Sequence, residues 1–292
     1  MNKQTNSDIK VSELFYSIQG EGRYTGVPSI FLRTFGCNFS CQGFGMLPGN
    51  LSTEADNIAN LHKENPFTNY DLLPLVSTGC DSYPAWHPAF KQLSPKITID
   101  NIVNQIIDLL PNKEWKDEHL VITGGEPLLG WQRSFPTLLD HPDMKGLTDL
   151  TFETNGTQWL TDEFKEYLNE WQSFYCNGMC REITFSVSPK LSCSGEDRKD
   201  AIQPAIVCEY ESIGFTYLKF VVATEDDVKE ALEVITEYRD YGFTGPIYLM
   251  PVGGVTEIYN LNNKRVAELA LQNGLRYSDR LHLPLFGNGW NT

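Results

Sequence analysis

The chain has 292 residues, a length that fits one large domain or one domain carrying an insertion. Its composition is 41% hydrophobic and 12% aromatic, enough to build a core and against intrinsic disorder. With 38 Asp and Glu against 23 Lys and Arg, the net charge of -15 repels nucleic acid and anionic membrane, so neither is an expected partner. No apolar run reaches the ~18 residues of a membrane span. The opening MNKQTNSDIKVSELF lacks an apolar h-region and does not read as a signal peptide, so a cytoplasmic location is expected.

In chain order, the first apolar β-branched segment is 28–36, a predicted strand. Residues 42–79 are polar and rich in Gly, Asn and Pro, show no clear elements, and are read as an insertion. The spacing predicts a helix over 98–110, behind Thr98 as a cap. Strands follow at 119–125 and 149–156, then a helix over 161–171 with Thr161 before an acidic first turn. Strands at 182–189 and 216–224 precede a helix over 224–240, again opened by Thr. A strand at 246–253 and a helix over 262–274, ending in Asn-Gly, complete the series. Short apolar strands alternating with helices mean an α/β fold. The strands are too few for a complete eight-fold barrel, so a partial barrel is expected. It would form a single domain over 1–292 with 42–79 inserted.

The seven cysteines lie at 37, 41, 80, 176, 180, 193 and 208. An odd count without a secretory signal points to metal ligation or reduced thiols rather than disulfides. Cys37 and Cys41 follow the first strand on one loop, so both can reach one iron–sulfur cluster, with a third thiolate from elsewhere. A four-iron–four-sulfur (4Fe–4S) cluster with three cysteines keeps one iron open. That iron can chelate the amino and carboxylate groups of S-adenosylmethionine (SAM). The plainer alternative is a pair of buried apolar thiols. Cys176 and Cys180 repeat the spacing, with Cys193 and Cys208 downstream; zinc or an auxiliary cluster is one reading, reduced thiols the favoured one.

Thr123-Gly124-Gly125-Glu126-Pro127 ends a predicted strand. Its glycines let a ligand approach the backbone, and its carboxylate can accept from an ammonium group. Arg33 offers a planar fork for a carboxylate, or forms a salt bridge. Gln19 offers both a donor and an acceptor to a ligand, or is a turn residue. Glu21 either reinforces this region or is solvated. Asp81 is a metal ligand or supports its neighbours. His282 faces substrate or is structural.

These features, with Phe15–Gly22, Gly26–Arg33, Glu153–Thr157 and Ser186–Lys190, resemble the 7-carboxy-7-deazaguanine synthase family of radical SAM enzymes. The resemblance runs from about residue 10 to the C-terminus, outside 42–79. The usual radical SAM signature is Cys-x3-Cys-x2-Cys. Here Gln42, Gly43 and Phe44 follow Cys41, and the segment Gly79–Trp86 is similar to the one that normally holds the third cysteine. The motif becomes Cys-x3-Cys-x38-Cys with Cys80 as its third ligand.

The resemblance implies a modified, partial (β/α) barrel of the radical SAM type. It implies conversion of 6-carboxy-5,6,7,8-tetrahydropterin to 7-carboxy-7-deazaguanine with loss of ammonia. The cofactors implied are SAM, a 4Fe–4S cluster and Mg²⁺; the partners are a second copy of the chain and flavodoxin or ferredoxin as electron donor. Carried over residue by residue, Cys37, Cys41 and Cys80 hold the cluster. Ser82, where the family usually has Thr, ligates Mg²⁺. Ile18, Gln19 and Gly20 line the pterin site, Arg33 takes the substrate carboxylate, and Thr123 and Thr292 also meet substrate. Gly125, Ser188, Pro189 and Lys190 bind SAM, with Glu126 at its amino group and Met250, Pro251, Val252 and Gly253 as a further turn. Two rivals stay open: another radical SAM enzyme, such as a glycyl-radical activase, and a non-catalytic cluster-binding protein.

Overall fold

Strand β1 (Asp8–Ile18) runs antiparallel to β2 (Pro28–Thr34), and the chain then winds outward in one direction. From β2 the sheet continues in parallel through β4 (His119–Gly124), β5 (Asp149–Thr154), β8 (Glu182–Val187), β9 (Phe215–Val222), β10 (Ile247–Pro251) and β11 (Arg276–Tyr277). A short β3 (Lys96–Thr98) pairs with the free side of β1. The result is a nine-stranded sheet, with β3 and β11 at its edges. A separate two-strand hairpin joins β6 (Tyr175–Cys176) to β7 (Met179–Cys180). This computed structural model describes residues 8–176, 179–287 and 289–292. Residues 1–7, where the signal-peptide reading begins, lie outside them, as do residues 177 and 178 between Cys176 and Cys180 and the Cys176 side chain.

Three of the four predicted helices open on a side-chain cap. The Thr98 hydroxyl accepts from Asn101 N at 3.4 Å to open α2 (Ile99–Leu109), and Thr161 accepts from Phe164 N at 3.3 Å to open α4 (Asp162–Ser173). Thr224 and Asp227 form a reciprocal capping box at the start of α7 (Glu225–Tyr241). The last long helix, α8, covers Thr256–Gln272 and so begins before the expected 262. Shorter helices are α1 (Glu54–Glu64), α3 (Phe135–Leu139), α5 (Arg198–Ala201), α6 (Pro204–Ile213) and α9 (His282–Phe286). No helix among the described residues is long and apolar enough to cross a membrane.

The 42–79 segment is not the structureless stretch its composition suggests. It contains α1, and Ala55, Ile58, Tyr70, Leu73 and Val76 pack with Tyr83 and Phe90 into a small core of their own. With few apolar residues, α1 draws its stability from that packing rather than from propensity.

Strand alternation sorts the sheet into two unlike faces. Ile30, Leu32, Leu120, Ile122, Leu150, Phe152, Ile183, Phe185, Leu218 and Phe220 join the helices in the main core. Their neighbours Arg33, Thr123, Glu153, Ser186 and Lys219 turn to the opposite face and line one cavity. Loops at the carboxyl ends of the parallel strands form its rim, the usual place for a site on such sheets.

Candidate active site

The cavity measures about 260 Å³ and has two unlike ends. One carries all three cysteines of the split motif. Cys37 and Cys41 lie on the loop after β2, and Cys80 lies at the exit of the 42–79 segment. Cys41 holds a left-handed backbone at φ 49°, costly for a residue with a side chain. Glu196 holds that turn: its Oε1 accepts from Ser40 N at 2.8 Å and from Cys41 N at 2.6 Å. Phe39 N donates to Cys37 Sγ at 3.4 Å. Gly125 packs so closely that an added Cβ would lie 2.5 Å from Gly36 O and 2.7 Å from Cys37 Cβ.

Burial pushes the Cys37 thiol up to about 12 and the Cys80 thiol up to about 11, with Glu126 and Asp81 adding to the two shifts in turn. Burial also raises Cys41, against the pull of Lys190. Thiolates here therefore require a positive partner, which a metal cluster supplies. The buried Trp86 indole N–H finds no hydrogen-bond acceptor, yet it acts on Cys80 to favour the charged sulfur. An unpaired N–H near Cys80 and the Phe39 N–H on Cys37 both suit ligated thiolates. No set of three or more His, Cys, Asp or Glu among the described residues could hold a metal ion. Three thiols around one chamber suit a body wider than a single ion, and on that chemistry the residues fit a 4Fe–4S cluster.

The other end is a ring of paired charges. Gln19 Nε2 donates to Glu153 Oε1 at 3.1 Å, and Glu21 N donates to Gln19 Oε1 at 3.1 Å. The Glu21 carboxylate pairs with Lys219 Nζ on one side and with Arg280 Nε, at 3.0 Å, on the other. Arg280 reaches on to Asp81 at 2.6 Å and donates to the Gly253 carbonyl. Ser82 Oγ donates to Asp81 and accepts from Arg33 Nη1 at 3.1 Å. Arg33 Nε closes the run on Glu13 at 2.6 Å, its directly opposite neighbour between β1 and β2. A register shift between Val11 and Glu13 sets that alignment.

Burial opposes the charges of Glu21, Arg33, Asp81, Lys219 and Arg280, and pairing outweighs it. Glu21 is held well below the usual carboxylate range by Lys219 and Arg280, and Asp81 is lowered by Arg280. Arg33, Lys219 and Arg280 are raised by their carboxylate partners. Beside the ring, burial and Arg280 push His282 down to about 4, so its imidazole is neutral. Gly20 packs against it; an added Cβ would meet His282 Nδ1 at 2.2 Å.

The cavity thus brings together Ile18, Gln19, Gly20, Arg33, Thr123 and Thr292 with the cysteines, Ser82, Gly125, Ser188, Lys190, Met250, Val252 and Gly253. Pro189, Pro251 and Glu126 do not line it. Glu126 was expected at an ammonium group, but its carboxylate lies fully buried behind the wall. It accepts from Thr154 Oγ1, Asn155 N and Leu128 N, at 2.7 to 3.0 Å, and so ties the turn after β4 to the end of β5. Burial raises it to about 7 against those bonds. Of the second cysteine group, Cys180 is exposed and Cys193 donates to Val221 O at 3.6 Å.

Sequence reading missed Glu13, Lys219 and Arg280, set Glu21 aside, and gave Glu153 no role. One signal was available. A Lys within FTYLKFVV or a Glu within DLTFET sits in an otherwise apolar strand, where a charge must find a partner.

No family model matches the chain. The chain is 29% identical over 307 residues to a 7-carboxy-7-deazaguanine synthase from Halobacterium salinarum, covering 97% of this chain and 93% of that protein. It is 30% identical over 251 residues to the enzyme of that name from Buchnera aphidicola, covering 86% and 88%. The crystal structure of QueE from Escherichia coli covers 95% of this chain and 98% of its own, with a TM-score of 0.50 and 18% identity, a likeness of fold. The chain belongs to the 7-carboxy-7-deazaguanine synthase family.

Proposed function

We propose that this chain is a radical SAM lyase that converts 6-carboxy-5,6,7,8-tetrahydropterin to 7-carboxy-7-deazaguanine with loss of ammonia, in deazaguanine biosynthesis. The observation that carries the reading is one cavity with three thiols at one end and a carboxylate-binding fork at the other. Cys37, Cys41 and Cys80 would hold the cluster. When bound, the cluster would supply the electron for reductive cleavage of SAM.

The remaining work belongs to side chains. Arg33, fixed on two of its nitrogens, presents its guanidinium to the substrate carboxylate. Gln19 and Glu153 meet a donor-rich pterin edge, and neutral His282 can donate or accept there. The Gly125 backbone, Ser188 and Lys190 flank SAM, with Lys190 Nζ donating to Ser188 Oγ at 3.0 Å. Met250, Val252 and Gly253 form the far SAM wall; Pro189, Pro251 and Glu126 shape it from behind. Ser82 would hold Mg²⁺ through its hydroxyl oxygen, Asp81 being committed to Arg280.

The sequential parallel order from β2 to β11 supports a partial, modified barrel. The separate small core of 42–79 supports its reading as an insertion in a single domain. The same reading expects a homodimer, a flavodoxin or ferredoxin as electron donor and a cytoplasmic location. The test is anaerobic reconstitution with iron and sulfide, then incubation with SAM, reductant, Mg²⁺ and the pterin. Formation of 7-carboxy-7-deazaguanine by mass spectrometry is expected; SAM cleavage that is indifferent to the pterin would sink the assignment.

A further inference from the structure

Residues 289–292 line the cavity beside Glu13 and Arg33, and they are held there from outside by the 42–79 segment. The Trp290 indole N–H donates to the Leu73 carbonyl at 2.7 Å, and its ring meets Tyr70 edge-on at 4.9 Å. The Asn291 side-chain amide donates to Asp71 Oδ1 at 2.6 Å. Tyr83, three residues past Cys80, meets the same indole at 6.2 Å. Tyr70, Leu73 and Tyr83 are buried in the small core of that segment, so Trp290 docks on a rigid platform.

Asn291 adopts a left-handed backbone at φ 65°, which Asn tolerates better than most residues. There its backbone N–H donates to Glu13 Oε1 at 3.0 Å. The second oxygen of Glu13 is the one paired with Arg33 Nε. Arg33 Nη1 is taken by Ser82, and no described residue accepts from Nη2. Glu13 has no room to rotate without releasing either the strap or the arginine.

We propose that the 42–79 segment is a positioning element for carboxylate recognition. Tyr70, Asp71 and Leu73 fix the 289–292 strap, the strap fixes Glu13, and Glu13 fixes the plane of the Arg33 guanidinium. This rests on the reading of Arg33 as the group that takes the substrate carboxylate. Asp71 and Leu73 do not themselves line the cavity, so their effect passes through the strap.

The test combines Asp71→Ala with Trp290→Phe, which keeps the ring and removes the N–H. On reconstituted enzyme, the pterin KM and the calorimetric Kd are expected to rise about tenfold, the equivalent of one to two net hydrogen bonds. The kcat, SAM affinity and the EPR signal of the cluster should stay at wild-type values. Asp71→Asn with Trp290 intact, which keeps an acceptor for Asn291, should hold KM at its wild-type value where Asp71→Ala alone raises it. A tetrahydropterin lacking the 6-carboxyl should bind wild type and double variant equally. Equal losses for both pterins, or an unchanged KM, overturn the inference. A wild type that binds no carboxypterin overturns the functional reading and this inference together; one that binds while the double variant binds equally well overturns the inference alone. If the double variant is unstable, the two single variants carry the same measurement with smaller shifts.

Discussion

The two ends of the cavity solve opposite problems. At the thiol end, three groups that must lose protons are buried with little charge to help them, and backbone contacts at Gly125 and Glu196 set the shape. At the ring end, charges are already paired before any ligand arrives, and side chains from distant parts of the chain set the shape. On the proposed function the first end awaits a cofactor, while the second already holds its charges in pairs. Buried carboxylates and cations are tolerated in the ring because each has a partner, whereas the thiols stay neutral until something positive binds.

The sharpest break between the ends is at the cysteines. Cys80→Ala should abolish SAM cleavage and lower bound iron and sulfide, while Cys176→Ala should leave both unchanged. The reverse pattern in the EPR of the reduced protein would move the cluster to the other cysteine pair.

Next in size is Arg280→Met. It leaves Asp81 without its cation, while Glu21 keeps only Lys219, and losing one partner of a buried pair costs about 3–5 kcal/mol. A urea titration should show that loss, with iron content per folded chain preserved. A loss under ~1 kcal/mol would mean the ring is solvated and not self-contained.

Two glycines test which end is rigid. Gly125→Ala drives a Cβ into the Gly36 carbonyl and the Cys37 side chain, so the cysteine loop itself must shift and cluster retention should fall. Gly20→Ala meets chiefly the His282 ring, which can turn away. It should raise the pterin KM about tenfold and leave the EPR signal intact. Equal effects on cluster content would erase the distinction between the ends.

The smallest expected effect is a pH slope. His282 sits at about 4 in the folded protein, below the ordinary value near 6.5. Between those values the unfolded chain takes up a proton that the folded chain refuses. Stability therefore falls as pH drops from about 6.5 to 4, and is unaffected by His282 above that window. His119, which burial lowers to about 3, acts in the same direction from the opening of β4, outside the cavity. His282→Asn should remove its share of the slope and leave that of His119, as read by melting temperature against pH.

The thiol end was largely legible in the sequence, because its parts are short local motifs that close strands: Cys37 and Cys41 after β2, Gly124 and Gly125 after β4. The main strands and three capped helices were legible for the same reason, since apolar runs and a Thr before an acidic turn are local signals. Strand β1 was not, because its bulge and mixed burial break the alternation by which strands are recognised. Helix α1 was hidden by polar residues, its few apolar ones serving a small satellite core. The ring was illegible because its pairs lie far apart: Lys219 meets Glu21 across 198 positions, and Arg280 meets Asp81 across 199. Glu126 was misplaced for a related reason. The Gly-Gly turn exposes backbone to the cavity, but the next side chain turns inward to Thr154 and Asn155.

The wide separation of the ring partners also has a consequence in time. All three thiols have been synthesised once Cys80 is added, yet Arg280 comes 200 positions later. At about 5–20 residues per second, the thiol-bearing loops wait roughly 10–40 s before the guanidinium that ties Asp81 to Glu21 exists. During biosynthesis the chain therefore carries all three thiols well before the opposite wall can close.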